Sequence, residues 1–113
     1  MKPIVFGLGC AIALIATGAA AQAQNPAQAR GLAATCFTCH GNEGRSVGNV
    51  PPSLAGQDRN YMLQQMKDFK AGKRPATIMH QHAKGYSDEQ LELIADYFSK
   101  VKPGPGAAAP AAR

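Results

Sequence analysis

The stretch TCFTCHGNEG, residues 35–44, decides how the rest of the chain is interpreted. Cys36 and Cys39 are separated by two residues, and His40 follows directly. This Cys-x-x-Cys-His pattern is typical of covalent haem attachment, in which two thiols one helical turn apart add to the vinyl groups and the histidine meets the iron. The motif therefore predicts one haem c bound through Cys36 and Cys39, with His40 as an iron ligand.

Two other uses of the cysteines compete with haem. Two cysteines in an exported chain form a disulfide by default. A redox dithiol of the thioredoxin type, however, needs a βαβ setting, and no strand pattern is present. A zinc site could combine both cysteines with His80 and His82, although His-x-His is not the usual spacing of zinc ligands. Haem is favoured because the five-residue motif has a defined mechanism.

The two ends of the 113-residue chain differ in composition from the middle. A short positive start, an apolar run over residues 4–21 and an A-x-A site ending at Ala23 are typical of a secretory signal peptide. The alternative to a cleaved signal peptide is an uncleaved membrane anchor. Cys10 is interpreted as part of the apolar run rather than as a lipidation site. We therefore expect a periplasmic protein with a cleaved signal peptide (1–23), one domain (24–102) and a disordered Ala/Pro/Gly tail (103–113).

The middle of the chain predicts helices and no strand. Asn25 followed by Pro26 is typical of a helix N-terminus, and a first helix is expected to run to Ala34 and into the Cys motif. Asp58 is the expected N-cap of a second helix, which ends at Ala71 before a C′ glycine. The predicted buried stripe of the second helix consists of Met62, Met66 and Phe69.

The last helix has the clearest start signal. Ser87 and Gln90 fit a capping box. Residues 41–56 and 73–85 have loop composition. The fold class is therefore all-α, and the core is small enough that a large apolar cofactor would supply part of its interior. The apolar stripe of the last helix is predicted to be Leu91, Ile94, Ala95, Phe98 and Val101.

A haem ligated by His40 needs a second axial ligand or an open position on its other side. Three candidates lie in the second predicted loop: Met79, His80 and His82. Met79 is favoured because the apolar Ile78 before it can pack on the porphyrin, whereas the two histidines border polar residues. Methionine–histidine ligation would raise the reduction potential of the iron.

The formal net charge of +5 is unevenly distributed. Nucleic acid is an unlikely partner for an exported chain with few aromatic residues in its basic stretch. Basic residues surround Met79 in the sequence and predict a docking surface that attracts acidic redox proteins. These residues are Lys67, Lys70, Lys73, Arg74 and Lys84.

Several strings resemble a known family. The strings CFTCHG (36–41), VPPSLAGQ (50–57) and DFKAGKR (68–74) are similar to small class I cytochromes c of the c4 and c553 kind. The strings RPATIM (74–79) and AKGYSDE (83–89) resemble the cytochrome subunit of flavocytochrome c sulfide dehydrogenase. The resemblance extends over nearly the whole predicted domain.

This resemblance implies a class I cytochrome c fold, with three to four helices wrapped around one covalent haem c. It implies thioether bonds at Cys36 and Cys39, axial ligation by His40 and Met79, and a carbonyl group of Pro52 that accepts a hydrogen bond from His40. The implied function is one-electron transfer through the haem edge by a protein that is not itself an enzyme. A sulfide-oxidising flavoprotein is the expected partner, and the alternatives are a general carrier that supplies a terminal oxidase or a haem sensor or enzyme with an open iron site.

Overall fold

The computed structural model describes residues 25–48 and 50–105. The expected signal peptide and residues 106–113 of the expected tail lie outside this part of the chain. No strand occurs among the described residues, which confirms the all-α prediction, and each of their helices is too short or too polar to span a bilayer. In order, the elements are α1 (Pro26–His40), a 3-10 turn (Asn42–Gly44), α2 (Arg59–Lys70), α3 (Met79–Lys84) and α4 (Asp88–Lys100).

Helix α1 continues through both cysteines, further than the end predicted at Ala34. The side chain of Asn25 caps it by accepting a hydrogen bond from the N–H of Ala27 at 3.0 Å. The helix ends because Gly41 adopts a φ of +80°, where a Cβ atom would lie 2.1 Å from the carbonyl oxygen of Arg45. Only glycine fits this turn, which leaves His40 as the last helical residue.

Helix α2 begins as predicted and ends at Lys70, with the predicted last residue, Ala71, as its C-cap. The carboxylate of Asp58 accepts a hydrogen bond from the N–H of Tyr61 at 2.8 Å, and Gly72 follows the helix with a φ of +71°. Met62 and Met66 are buried, with 6% and 8% of their surface exposed, which confirms that they are core residues.

The predicted second loop is wrong in its latter half, where residues 79–84 form α3. This helix has only six residues, and its N-cap, Ile78, makes no side-chain capping hydrogen bond, so the sequence gives no start signal. Tertiary packing stabilises it instead, because Ala83 is completely buried in a cluster shared with α2 and α4.

Helix α4 has the predicted capping box. The N–H of Gln90 donates to the Ser87 hydroxyl at 3.2 Å, and the N–H of Ser87 donates to the Gln90 side chain at 2.9 Å. The predicted stripe is buried as far as Phe98, whereas Val101 is the C-cap rather than a helical residue. A hydrogen bond with Lys70, reinforced by its charge, lowers the pKa of Asp88. This carboxylate is therefore charged at neutral pH and stabilises α4 by its interaction with the positive end of the helix dipole.

The helices pack in two groups that share α4. Helix α1 packs against α4, and α2 packs against both α3 and α4. Phe98 is completely buried where α1 meets α4, and its ring centroid lies 6.1 Å from that of Phe37 and 5.2 Å from that of Tyr97. Met66, Ala83 and Leu91 form the cluster in which α2, α3 and α4 meet.

We expect Gly44→Ala to destabilise the protein by about 2–4 kcal/mol. Gly44 is buried with a φ of +72°, and an added Cβ atom would lie 2.6 Å from the Phe98 ring. The measurement is urea-induced unfolding of the haem-loaded protein. Gly31→Ala is the matched control, because no heavy atom lies within 4 Å of a Cβ atom at this position within α1, and it should stabilise the protein by up to about 1 kcal/mol. Equal unfolding midpoints for Gly44→Ala and wild type would contradict the packing described for Phe98.

Candidate metal centre

His40 is a buried imidazole with one ring nitrogen already occupied. It is 7% exposed, and its Nδ1 lies 2.7 Å from the carbonyl oxygen of Pro52. A carbonyl oxygen only accepts hydrogen bonds, so Nδ1 bears the proton and Nε2 keeps a free lone pair. This hydrogen bond orients the ring, as is usual for metal-bound histidines.

Two serines hold the loop that contains Pro52. The Ser46 hydroxyl donates to the carbonyl of Pro51 at 2.5 Å, and the Ser53 hydroxyl donates to the carbonyl of Gly44 at 3.1 Å. The N–H of Ser46 also donates to the Ser53 hydroxyl at 3.0 Å, which joins the two sides of the loop. The sequence analysis did not identify either serine; short hydroxyl residues on both sides of a Pro-Pro pair were the available signal.

Cys36 and Cys39 lie on the last turns of α1, with a spacing that places them on the same side of the helix. Both thiols are free, so the disulfide alternative is not formed. Within residues 25–48 and 50–105, no group of three or more His, Cys, Asp or Glu side chains is arranged to hold a metal ion. His80 and His82 therefore do not join the cysteines in the zinc site considered above.

The two thiols differ in environment. Cys36 is half-buried and Cys39 is exposed. Burial raises the pKa of the Cys36 thiol, and the neighbouring Cys39 adds to this shift. Before haem attachment, Cys36 is therefore a neutral thiol at pH 7.

Met79 is the first residue of α3. Its half-buried side chain packs against the cluster of Met66, Ala83 and Leu91. Ile78 beside it is 50% exposed, an unusual position for a large apolar side chain. His80 is half-buried and His82 is exposed.

The predicted axial ligands lie on helices that belong to different packing groups. His40 ends α1, which packs against α4, whereas Met79 begins α3, which packs against α2. Two thiols on one helical face, an imidazole with Nε2 available and a thioether on another helix form a donor set that fits haem c. The structure brings Pro52 to His40 directly, at the distance given above.

Comparison with known proteins identifies the family. The family model described as "Cytochrome c" matches residues 27–102, which include all four helices except the first residue of α1. The cytochrome subunit of sulfide dehydrogenase from Chlorobaculum tepidum is 36% identical over 101 residues, covering 88% of this chain and 91% of that protein.

Cytochromes c4 are similar in both sequence and structure. Cytochrome c4 of Azotobacter vinelandii is 40% identical over 103 residues, covering 83% of this chain and 49% of that protein. The crystal structure of reduced recombinant cytochrome c4 from Pseudomonas stutzeri superposes with a TM-score of 0.65 at 36% identity, covering 71% of this chain and 47% of that one. The chain thus spans about half the length of the cytochromes c4 that it matches.

These similarities confirm the resemblance and the class I fold expected from the sequence. They extend over the helical domain and include the Cys-x-x-Cys-His motif at the end of α1. The chain belongs to the cytochrome c family of electron-transfer proteins, and its cofactor is covalently bound haem c.

Proposed function

We propose that this protein is an exported, periplasmic one-electron carrier, with one haem attached to Cys36 and Cys39 and held between His40 and Met79. The main support is the 2.7 Å hydrogen bond from His40 Nδ1 to the Pro52 carbonyl, which leaves Nε2 for iron. When bound, haem supplies the Fe(III)/Fe(II) couple. His40 and Met79 together would leave no position on the iron for a substrate, which argues against the sensor or open-site enzyme.

The surroundings of Met79 support its role as the second ligand. Its side chain is half-buried on an apolar cluster, which restricts its position, and the exposed Ile78 beside it presents an apolar surface suited to a porphyrin face. A thioether donates less electron density to ferric iron than an imidazole does, so this ligand favours the reduced state. His80 is the main alternative to Met79 as a ligand, because its side chain is also half-buried.

An open groove supports a basic docking surface. It lies between the end of α2 and the start of α4, and its charged lining consists of three of the five predicted docking residues, Lys67, Lys70 and Lys73, together with Asp68 and Asp88. Lys70 is paired with Asp88 at 2.8 Å, so its charge is partly neutralised. Lys73 is exposed and lies just after the end of α2. It can attract an acidic partner without breaking an ion pair of the described residues.

A sulfide-oxidising flavoprotein dehydrogenase is the proposed electron donor. The support is the similarity to a cytochrome subunit of sulfide dehydrogenase, which extends over 91% of that protein. A general carrier is the second candidate, because cytochromes c4 match a similar share of this chain. The cytochromes c4 are about twice as long as the region that this chain matches, whereas nearly the whole sulfide dehydrogenase subunit is matched.

We expect Met79→Ala to abolish the far-red methionine-to-iron absorption band of the oxidised protein. The reduction potential should fall by on the order of 0.1 V, a fraction of the roughly 0.8 V range set by axial ligands. Absorption spectra and a redox titration measure both effects. Met62→Leu, a core substitution of similar volume, should retain the band and the potential.

Persistence of the band in Met79→Ala would show that another methionine is the ligand. A wild-type protein without the band would contradict Met79 ligation altogether. In that case, a changed spectrum in His80→Ala or His82→Ala would identify that histidine as the ligand, and unchanged spectra in both variants would favour an open iron position.

We expect Lys73→Glu to slow electron transfer with an acidic redox partner at low salt and to weaken the salt dependence of the rate. Stopped-flow rates over a series of ionic strengths provide the measurement. Lys102→Glu is the matched control: it makes the same charge change at the far end of α4, a 13-residue helix about 20 Å long. Equal effects of the two substitutions would show that net charge, rather than a local docking surface, controls the rate.

The proposed partner can be tested directly. Purified haem protein should be reduced by sulfide much faster when a flavin-containing fraction of the source periplasm is added, as followed by the absorbance of reduced haem. The same fraction with its flavoprotein removed is the control. If removal leaves the rate unchanged, the general-carrier candidate replaces the sulfide pathway.

A further inference from the structure

Tyr86 lies between the two packing groups of the fold. It lies two residues after the end of α3, and its N–H donates to the carbonyl of Ala83 at 3.3 Å. Its half-buried ring packs against the cluster around Phe98 and also against the cluster around Met66. The side chain is therefore fixed in position by apolar contacts on both sides.

The phenol group of Tyr86 makes a hydrogen bond to α1. Its oxygen lies 2.6 Å from Oγ1 of Thr35, a residue 51 positions earlier in the chain. The Thr35 hydroxyl donates its own proton to the carbonyl of Leu32 at 3.0 Å, so the Tyr86 hydroxyl is the donor in this pair. Thr35 immediately precedes Cys36, which places the bond beside the first thioether position.

The backbone of Tyr86 is held from the other side by Lys70. The ammonium group of Lys70 donates to the carbonyl of Tyr86 and to the carboxylate of Asp88, each at 2.8 Å. Lys70 is the last residue of α2, so these bonds close the base of the segment over residues 71–87. That segment contains Met79.

The position of this link matters because α1 and α3 pack mainly against other helices. The separation between His40 on α1 and Met79 on α3 therefore depends on indirect connections. Among the hydrogen bonds of the described residues, the Thr35–Tyr86 pair joins α1 to the residues that immediately follow α3. A change in this bond would be transmitted to α3 through a connection of only two residues.

We propose that Tyr86 is a positioning residue, whose hydrogen bond to Thr35 holds the Met79-bearing helix at the distance from α1 that iron ligation requires. The proposal rests on the ligation of iron by Met79 proposed above. Loss of the bond lets α3 move away more often, and Met79 then dissociates from the iron more readily.

The test is the rate at which cyanide replaces the methionine ligand in the oxidised, haem-loaded protein. Tyr86→Phe keeps the ring and its packing, and it should increase the rate by about three- to tenfold, the range expected for loss of one partly exposed hydrogen bond. The far-red methionine band should also weaken at a lower temperature than in wild type. A general loss of packing would not give this spectroscopic change without a similar loss of global stability, which urea unfolding measures separately.

The chain provides a matched control and a double-mutant cycle. Tyr97→Phe removes a hydroxyl that is buried without a hydrogen-bond partner among the described residues, so it should leave the cyanide rate unchanged. Thr35→Val should reproduce the effect of Tyr86→Phe. The double variant should be no faster than either single variant, because both remove the same bond.

Unchanged cyanide kinetics in Tyr86→Phe, with the far-red band present in wild type, would overturn the positioning role and leave Met79 ligation intact. Additive effects of Thr35→Val and Tyr86→Phe would overturn it as well, because the two hydroxyls would then act separately. Absence of the band in wild type would overturn both the positioning role and the ligation on which it rests.

Discussion

The hydrogen bond from His40 to the carbonyl of Pro52 is the constraint on which the haem site depends. It joins the last residue of α1 to a loop that has no regular secondary structure at this point. The bond orients the imidazole and leaves its other nitrogen free, as the proposed ligation of iron requires. Gly41 makes it possible, because α1 must stop directly after the histidine for the loop to reach its ring.

The loop around Pro52 is stabilised by the same residues that complete the core. The carbonyl of Gly44 accepts hydrogen bonds from the N–H groups of Leu54 and Ala55 and from the Ser53 hydroxyl, while its Cα lies against the ring of Phe98. Phe98 in turn anchors α4 against α1. The orientation of His40 is therefore coupled to the packing of the last helix, although the two are far apart in sequence.

The other side of the proposed site is built differently. Helix α3 is too short to be stable by itself and is held by the burial of Ala83 and by Met79 packing on the same cluster. Polar bonds reinforce this arrangement at the base of the segment, where Lys70 meets Tyr86 and Asp88.

The sequence by itself determined the cofactor, the fold class and the starts of the three long helices. These properties depend on local signals: the Cys-x-x-Cys-His motif, the caps at Asn25, Asp58 and Ser87, and apolar residues at helical spacing. Where such a signal was missing the prediction failed, as it did for α3, whose N-cap is the uncapped Ile78. The choice of Pro52 as the partner of His40 came from the family resemblance.

Tertiary structure alone decided the contacts between distant residues. The bond between Thr35 and Tyr86 and the pairing of Lys70 with Asp88 leave no pattern in the sequence, because each depends on how separate elements are brought together. The pairing of Lys70 also changes the interpretation of the basic cluster, since one of its charges belongs to the fold. Local chemistry thus specified what the protein binds, and long-range packing specified how the binding residues are held.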